Sequence, residues 1–338
     1  MAVKPPRDRS VAVIGAGSWG TALAIQLARE GATTYLWGRN GTQLEAMQAT
    51  RRNARYLPDA AFPTALVIDP SLAGVLRAAR DVLIAVPSPA FRDTLTGLAP
   101  LLREDARVAW ATKGFEVASG LLPHAVAAAV LGTRPGAVLS GPTFAREVGA
   151  GLPTAMTVAS RDCGFGEDLA RRLSGPSFRV YTQDDIVGVE VGGAVKNVIA
   201  IACGMADGLD FGANTRVALI TRGLAEMMRL GLKLGAVRET FMGLAALGDL
   251  VLTCTDGQSR NRRFGMALGA GRDARRAAAE IGQMVEGVPA ASAVKAVADR
   301  EGVDMPICRE VYRILYEDRD IREAGLALMG REMRSERE

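Results

Sequence analysis

Residues 11–20 read VAVIGAGSWG, and the run TALAIQLARE follows at once. Val11–Ile14 is a short apolar run of the kind a buried strand needs. Gly15, Gly17 and Gly20 then form a G-x-G-x-x-G pattern. Alone that pattern is weak. Here it follows a strand, opens a helix and lies in a strand–helix–strand unit ending at Trp37, which is the context a dinucleotide-binding turn requires. Gly15 permits the tight turn, Gly17 lets a pyrophosphate approach the backbone, and Gly20 lets helix and sheet pack closely. The helix N-terminus faces the anion.

The second strand of the unit ends in Gly38-Arg39-Asn40. An NAD-selective fold often carries an acid there for the ribose hydroxyls. Arg39 instead stands where a guanidinium could hold a 2′-phosphate. The expected cofactor is NADP(H) and/or NAD(H).

Outward from this unit, short Val/Ile-rich runs alternate with helical stretches. The runs are Val11–Ile14, Thr33–Trp37, Asp81–Val86, Arg107–Ala111, Ala137–Ser140, Thr154–Ala159 and Phe178–Tyr181. Helical patterns fall at Thr21–Glu30, Thr42–Arg51, Leu72–Ala79 and Leu121–Leu131. Nearly continuous apolar strands separated by helices imply a mostly parallel sheet with right-handed crossovers. After about Asp185 strand-like runs vanish. Helical patterns follow at Ile186–Met205, Thr215–Lys233, Ser259–Leu268, Ala274–Ile281, Val288–Arg300 and Ile307–Tyr316, with Asn214 as a start signal and Gly235 as a stop. The expected fold is α/β: an N-terminal Rossmann-like, mostly parallel sheet over residues 1–187 that binds a dinucleotide, then an all-helical substrate and catalytic domain over 188–338. The tail REMRSERE is charged and expected to fray.

Composition narrows the function. The 338 residues carry a net charge of +4, with 49% hydrophobic and 23% charged residues, which argues for a globular chain and against disorder. A small dispersed charge with 5% aromatics argues against a nucleic-acid partner. His124 is the sole histidine, so a Ser-His-Asp hydrolase or His-rich zinc site would have to use it. Its place in GLLPHAVAAAVLG reads as a helix-terminal boundary residue, which leaves proton chemistry to Lys, Asp or Glu. Cys163, Cys203, Cys254 and Cys308 show no metal-ligand or redox spacing, so no metal and no disulfide framework is expected. No signal peptide or membrane span is expected, since Glu190 and Lys196 interrupt the most apolar stretch, 186–205. The cytoplasm is the expected compartment.

VGGAVKNVIAIACGM places Lys196 inside an apolar helix, with Gly192, Gly193 and Ala200 on its neighbouring turns. Those small residues leave room for a substrate, and a desolvated lysine has a lowered pKa suited to acid–base work. A lysine whose stem packs while its head reaches water fits the same pattern. The stretch 243–250, GLAALGDL, sets Asp249 among apolar residues, where it calls for a cationic partner such as Lys196. Ser259 reads as an N-cap, followed by Arg260, Asn261, Arg262 and Arg263. Arginines at a helix start oppose its dipole unless an anion is held there. Lys113 in ATKG and the turn Ser140-Gly141-Pro142-Thr143-Phe144-Ala145 end strands at the carboxyl edge of the sheet, where open α/β folds bind ligands.

Taken in order, GAGSWGTALA, ATKGFE, LSGPTFAREV, GGAVKNVIAIACGMADGL, GDLVLTC, SRNRRFG and VEG resemble the bacterial NAD(P)-dependent glycerol-3-phosphate dehydrogenases over roughly residues 10–330. The resemblance implies an oxidoreductase that interconverts dihydroxyacetone phosphate and sn-glycerol 3-phosphate and so feeds phospholipid biosynthesis and lipid metabolism. It makes Lys196 the proton donor and acceptor, grouped with Lys113 and Asp249 in the catalytic set. It makes Lys113, Gly141, Thr143, Lys196, Asp249, Ser259, Arg260 and Asn261 substrate contacts. It assigns the cofactor to Ser18, Trp19, Arg39, Lys113, Ala145, Arg260, Met284 and Glu286, beside Gly15, Gly17 and Gly20. Ala246 stands where Gly is usual, and Met284 where Val is usual. The alternatives are another β-hydroxyacid dehydrogenase, whose pattern carries Asn four residues after the lysine where this chain has Ala200, and a non-catalytic NAD(P)-binding regulator. The helical domain is compatible with a homodimer.

Overall fold

The computed structural model describes residues 10–330; the charged tail lies outside them. Ten strands are present among the described residues: β1 Val11–Ile14, β2 Thr34–Trp37, β3 Arg52–Asn53, β4 Leu57–Ala61, β5 Leu66–Ile68, β6 Asp81–Ile84, β7 Arg107–Trp110, β8 Gly136–Ser140, β9 Thr154–Ala159 and β10 Phe178–Gln183. Eight form one sheet in the order β10-β9-β8-β7-β6-β1-β2-β5, while β3 and β4 make a separate hairpin. Every neighbouring pair in the large sheet is parallel except β8 and β9. Strands β1, β6 and β7 are buried along their whole length, which is why they read as unbroken apolar runs.

The first half holds α1 Ser18–Arg29, α2 Gly41–Thr50, α3 Leu72–Ala78, α4 Phe91–Leu98, α5 Pro123–Leu131, α6 Ala145–Ala150 and α7 Cys163–Leu173. The second holds α8 Ile186–Gly208, α9 Gly212–Lys233, α10 Asp249–Thr255, α11 Arg260–Gly269, α12 Ala274–Ile281, α13 Gly287–Glu301, α14 Pro306–Tyr316 and α15 Ile321–Met329. The expected α/β half followed by an all-helical one is therefore observed. Helix α9 departs from expectation: it begins at Gly212, so Asn214 sits in its first turn and is not a start signal. Asp210, with φ 57°, makes the preceding turn.

Each sheet face has its own core. Leu23, Leu27, Phe165 and Leu169 pack on one face, and Val75, Phe91, Leu95 and Val126 on the other. Helix α8 joins the two halves. Ile186 and Val189 belong to the second sheet-face core, whereas Val191, Val195, Val198 and Ile199 belong to the helical core. By length and composition α8 could cross a membrane, but its apolar window is 94% buried inside the protein.

Glycines set how α11 lies on α8. A Cβ at Gly204 would stand 2.1 Å from the Arg262 carbonyl oxygen, and one at Gly265 2.2 Å from that of Ile201. Gly208 and Gly269 repeat the contact one turn further, at 2.3 Å each. The two backbones touch, as small residues spaced four apart on facing helices allow. That contact seats the start of α11 beside Lys196.

Candidate active site

Lys196 is 7% exposed at the middle of α8. Its Nζ donates to Asp249 Oδ1 at 2.5 Å and to Thr253 Oγ1 at 3.0 Å. Asp249 opens α10 directly after a π-helical turn, Leu244–Gly248. Thr253 lies four residues on, hence on the same face. Lys113, just beyond β7, donates to Asp249 Oδ2 at 2.7 Å. Each carboxylate oxygen thus takes one ammonium. Burial lowers the Lys196 pKa to about 8; Asp249 opposes that fall and Lys113 adds to it. Burial pushes the Asp249 carboxyl up, but Lys113 and Lys196 outweigh it and hold the group below the usual carboxylate range.

The expected Lys196–Asp249 pair is present. The reading of Gly192 and Gly193 as room for a substrate is not borne out. A Cβ at Gly192 would lie 2.8 Å from the Ala245 carbonyl oxygen, and one at Gly193 3.3 Å from the Lys113 side chain. The space is filled by the protein's own π-helical turn and by the second lysine. Ala246 packs its methyl against Gly192, so the extra carbon at that position has a place.

Above this floor lies a cleft of about 290 Å³. It gathers Ser18, Trp19, Lys113, Thr143, Ala145, Lys196, Asp249, Ser259, Arg260, Asn261 and Glu286 from the expected set. It also contains Arg263 of the expected arginine cluster, and Tyr56, Asn197, Thr253 and Gln283, which sequence reasoning missed. The adjacency of Asn197 to Lys196 and the four-residue step from Asp249 to Thr253 were the available signals. Gly15, Gly17, Gly20, Arg39, Gly141 and Met284 of the expected set do not line the cleft. Gly141 is needed where β8 passes β9: its φ is +146° and a Cβ would lie 2.9 Å from Met156 Cα. The Met284 side chain is 44% exposed, and only its carbonyl takes part, accepting from Arg260 Nη1 at 3.0 Å.

Two helices start at the cleft. At α1, Gly15 has φ +122° and a Cβ at Gly17 would meet nothing within 4 Å. Gly17 caps the helix without any side-chain hydrogen bond, so no capping side chain satisfies the first-turn N–H groups. The Trp19 indole nitrogen is buried with no protein partner. A dinucleotide pyrophosphate fits this cradle. Arg39 is exposed at the end of β2, beside Gly38, which touches Ala16 of the same turn.

At α11 the expected N-cap is observed, with Ser259 Oγ accepting from Arg262 N at 3.2 Å. The crowd of arginines has a partly different cause than an anion. Arg262 pairs with Asp207 of α8 at 2.6 Å. Arg260 remains at the cleft, held by the Met284 carbonyl. Asn261 Nδ2 donates to Asn197 Oδ1 at 2.8 Å, and its Oδ1 accepts from Gly287 N at 2.9 Å. That chain ties the loop bearing Glu286 to the helix bearing Lys196.

His124 is indeed a boundary residue in the first turn of α5, its side chain 25% exposed. It lies outside the cleft and faces Glu190.

Residues 10–165 match the family NAD-dependent glycerol-3-phosphate dehydrogenase N-terminus, and residues 185–325 match its C-terminus. The chain belongs to the NAD-dependent glycerol-3-phosphate dehydrogenase family. A relative from Sodalis glossinidius, named glycerol-3-phosphate dehydrogenase (NAD(P)+), is 55% identical over 98% of this chain and 99% of its own. One of the same name from Serratia marcescens is 56% identical over 98% of each. The crystal structure of glycerol-3-phosphate dehydrogenase from Coxiella burnetii superposes with a TM-score of 0.93 at 49% identity, covering 96% of this chain and 99% of that one. Family membership accounts for the cleft between a dinucleotide turn and a lysine–aspartate floor.

Proposed function

We propose that the chain interconverts dihydroxyacetone phosphate and sn-glycerol 3-phosphate with NAD(P)(H) in this cleft. One observation carries the reading. A buried ammonium with a pKa near 8 faces a cleft that also receives an uncapped helix start on one side and Ser259-Arg260-Asn261 on the other. Residues 1–187 act as the dinucleotide unit and 188–338 as the substrate and catalytic unit.

The bound nicotinamide supplies the hydride to the ketone carbon, or takes it back from the alcohol. Negative charge then grows on the carbonyl oxygen, and Lys196 neutralises it and delivers the proton from Nζ. In reverse its neutral amine takes the hydroxyl proton. Asp249 orients Lys196 and, with Lys113, fixes the charge of the floor. Arg260, Asn261 and the free first-turn N–H groups of α11 bind the substrate phosphate, with Thr143 opposite; Gly141 shapes that turn. Ser18, Trp19, Ala145, Lys113, Arg260 and Glu286 border the cofactor, with the carbonyl of Met284 behind Arg260. Arg39 reads a 2′-phosphate. The product supplies phospholipid synthesis in the cytoplasm, and the enzyme works as a homodimer.

The test is loss of reduced-nicotinamide absorbance when NADPH or NADH is mixed with dihydroxyacetone phosphate. A non-catalytic NAD(P)-binding regulator would bind cofactor without oxidising it. Arg260→Ala should cut use of dihydroxyacetone phosphate roughly 10- to 100-fold while leaving the poor reaction of dihydroxyacetone unchanged. An equal loss on both refutes the phosphate contact. Arg39→Asp should weaken NADPH far more than NADH, since it removes a charge-assisted pair and adds a repulsion.

A further inference from the structure

Glu190 is a buried carboxylate that the reaction above does not use. It lies on α8, six residues before Lys196, and is 3% exposed. Its Oε1 accepts from Trp110 Nε1 at 2.7 Å and from the His124 backbone N at 2.9 Å. Its Oε2 faces His124 Nδ1 at 2.5 Å. Trp110 is the last residue of β7 and stands three residues before Lys113.

Two ties therefore anchor α8 to β7 and the segment just beyond it. One is direct, Trp110–Glu190. The other runs through α10, Lys113–Asp249–Lys196. Glu190 and Lys196 are about 9 Å apart along the helix axis, so the ties hold α8 at two levels. A slip of α8 along its axis would break the first tie and would carry Lys196 away from the carboxylate that Lys113 also holds. Apolar packing between α8 and the sheet, through Ile186 and Val189, is non-directional and does not set such a register.

Resting on the reading of Lys196 as the proton carrier, we infer that Glu190 is a positioning residue for the reaction: its bonds to Trp110 and His124 set the register of α8 that brings the Lys196 ammonium onto Asp249 beside Lys113. His124, the sole histidine, serves the site through Glu190 and not as an acid or base.

The experiment measures kcat per bound cofactor, counted by NADPH fluorescence titration, with the KM for dihydroxyacetone phosphate, in the full chain. Glu190→Leu should lower kcat on the order of 10- to 100-fold with KM and NADPH affinity unchanged, because a small displacement of a reacting group costs turnover and not binding. Trp110→Phe keeps an aromatic ring beside Phe91 and removes the N–H together with part of the indole volume; it should lower kcat roughly 2- to 10-fold. Glu190→Gln still accepts from Trp110 and should restore most of the turnover. A merely structural role would reduce the amount of folded enzyme and leave kcat per bound cofactor at the parent value in Glu190→Leu and Trp110→Phe. That result overturns the inference and leaves the proposed reaction standing. If Glu190→Leu does not fold, Trp110→Phe decides alone. A parent chain that binds NADPH yet shows no turnover overturns both readings together.

Discussion

Among the carboxylates buried in the helical half, Asp249 at 2% exposure and Glu226 at 1% have contrasting surroundings. They have opposite fates. Asp249 sits between two ammonium groups, and its carboxyl is held below the usual range. Glu226, on α9, accepts from backbone N–H groups at the start of α14, from Ile307 at 2.7 Å and from Cys308 at 3.1 Å, and also from the Cys308 thiol. Burial pushes its pKa up to about 7, against the pull of those N–H groups and of Arg229. Burial alone penalises a charge; at Asp249 two countercharges reverse the sign, and at Glu226 the backbone donors do not. A helix start satisfies the hydrogen bonds of a carboxylate without securing its ionisation. At the cleft floor two countercharges hold the Asp249 carboxyl charged beside Lys196. The distant acid titrates near neutrality and affects folding instead.

The sharpest way to break this contrast is Lys196→Met. It keeps much of the stem and removes the head. Turnover should fall by a factor of roughly 100 to 10,000 while NADPH affinity stays near normal, because Asp249 keeps Lys113. Steady-state kinetics beside a binding titration checks it, and near-normal turnover would rule out the proton role.

Asp249→Asn attacks the same floor from the other side. Two ammonium groups would then share a neutral amide, and turnover should fall by about 100-fold. The pH profile sharpens the point. Ketone reduction needs the ammonium, so in the parent enzyme its rate should fall as pH rises through about 8, while glycerol 3-phosphate oxidation should rise through the same value. Asp249 opposes the burial that lowers Lys196, so its loss should move both limbs to lower pH. A shift to higher pH would show that Asp249 does not raise the Lys196 pKa.

Glu226 predicts a smaller effect, read in stability. Its folded pKa is raised from 4.5 to about 7. The folded chain therefore binds the extra proton between those values. The contribution is fully present below pH 4.5 and is lost as pH rises through about 7, at no more than about 1.4 kcal/mol per pH unit. Glu226→Gln should flatten that slope in denaturant titrations run across the window. A slope identical to the parent would mean that Glu226 stays ionised throughout.

The same contrast shows what a sequence discloses. The glycine turn and the β1, β6 and β7 runs were legible because each is a local pattern tied to one backbone geometry. The Lys196–Asp249 pair was legible because a lone acid and a lone lysine in apolar surroundings have few other partners. Lys113 as the second cation on Asp249 was not: the two lie far apart in the chain, and only the sheet brings them together. Strand β4 was hidden by Pro58 and Asp59, residues depleted in strands, and its pairing with β3 is held by tertiary context. Gly192 and Gly193 were read correctly as a site of close approach and wrongly as to what approaches. Small residues announce a contact but not the identity of the contacting group. Gln283 and Tyr56 stand on connecting segments whose course no periodicity encodes.

The glycine contacts between α8 and α11 have a mechanical consequence. Where backbones touch at Gly204, Gly208, Gly265 and Gly269, there are no intervening side chains whose rotamers could absorb sliding. The two helices behave as a single welded beam, with Lys196 on one limb and Ser259-Arg260-Asn261 at the end of the other. The span between Lys196 and Ser259-Arg260-Asn261 is thus set by backbone against backbone, and the distance across the cleft floor is built into the fold.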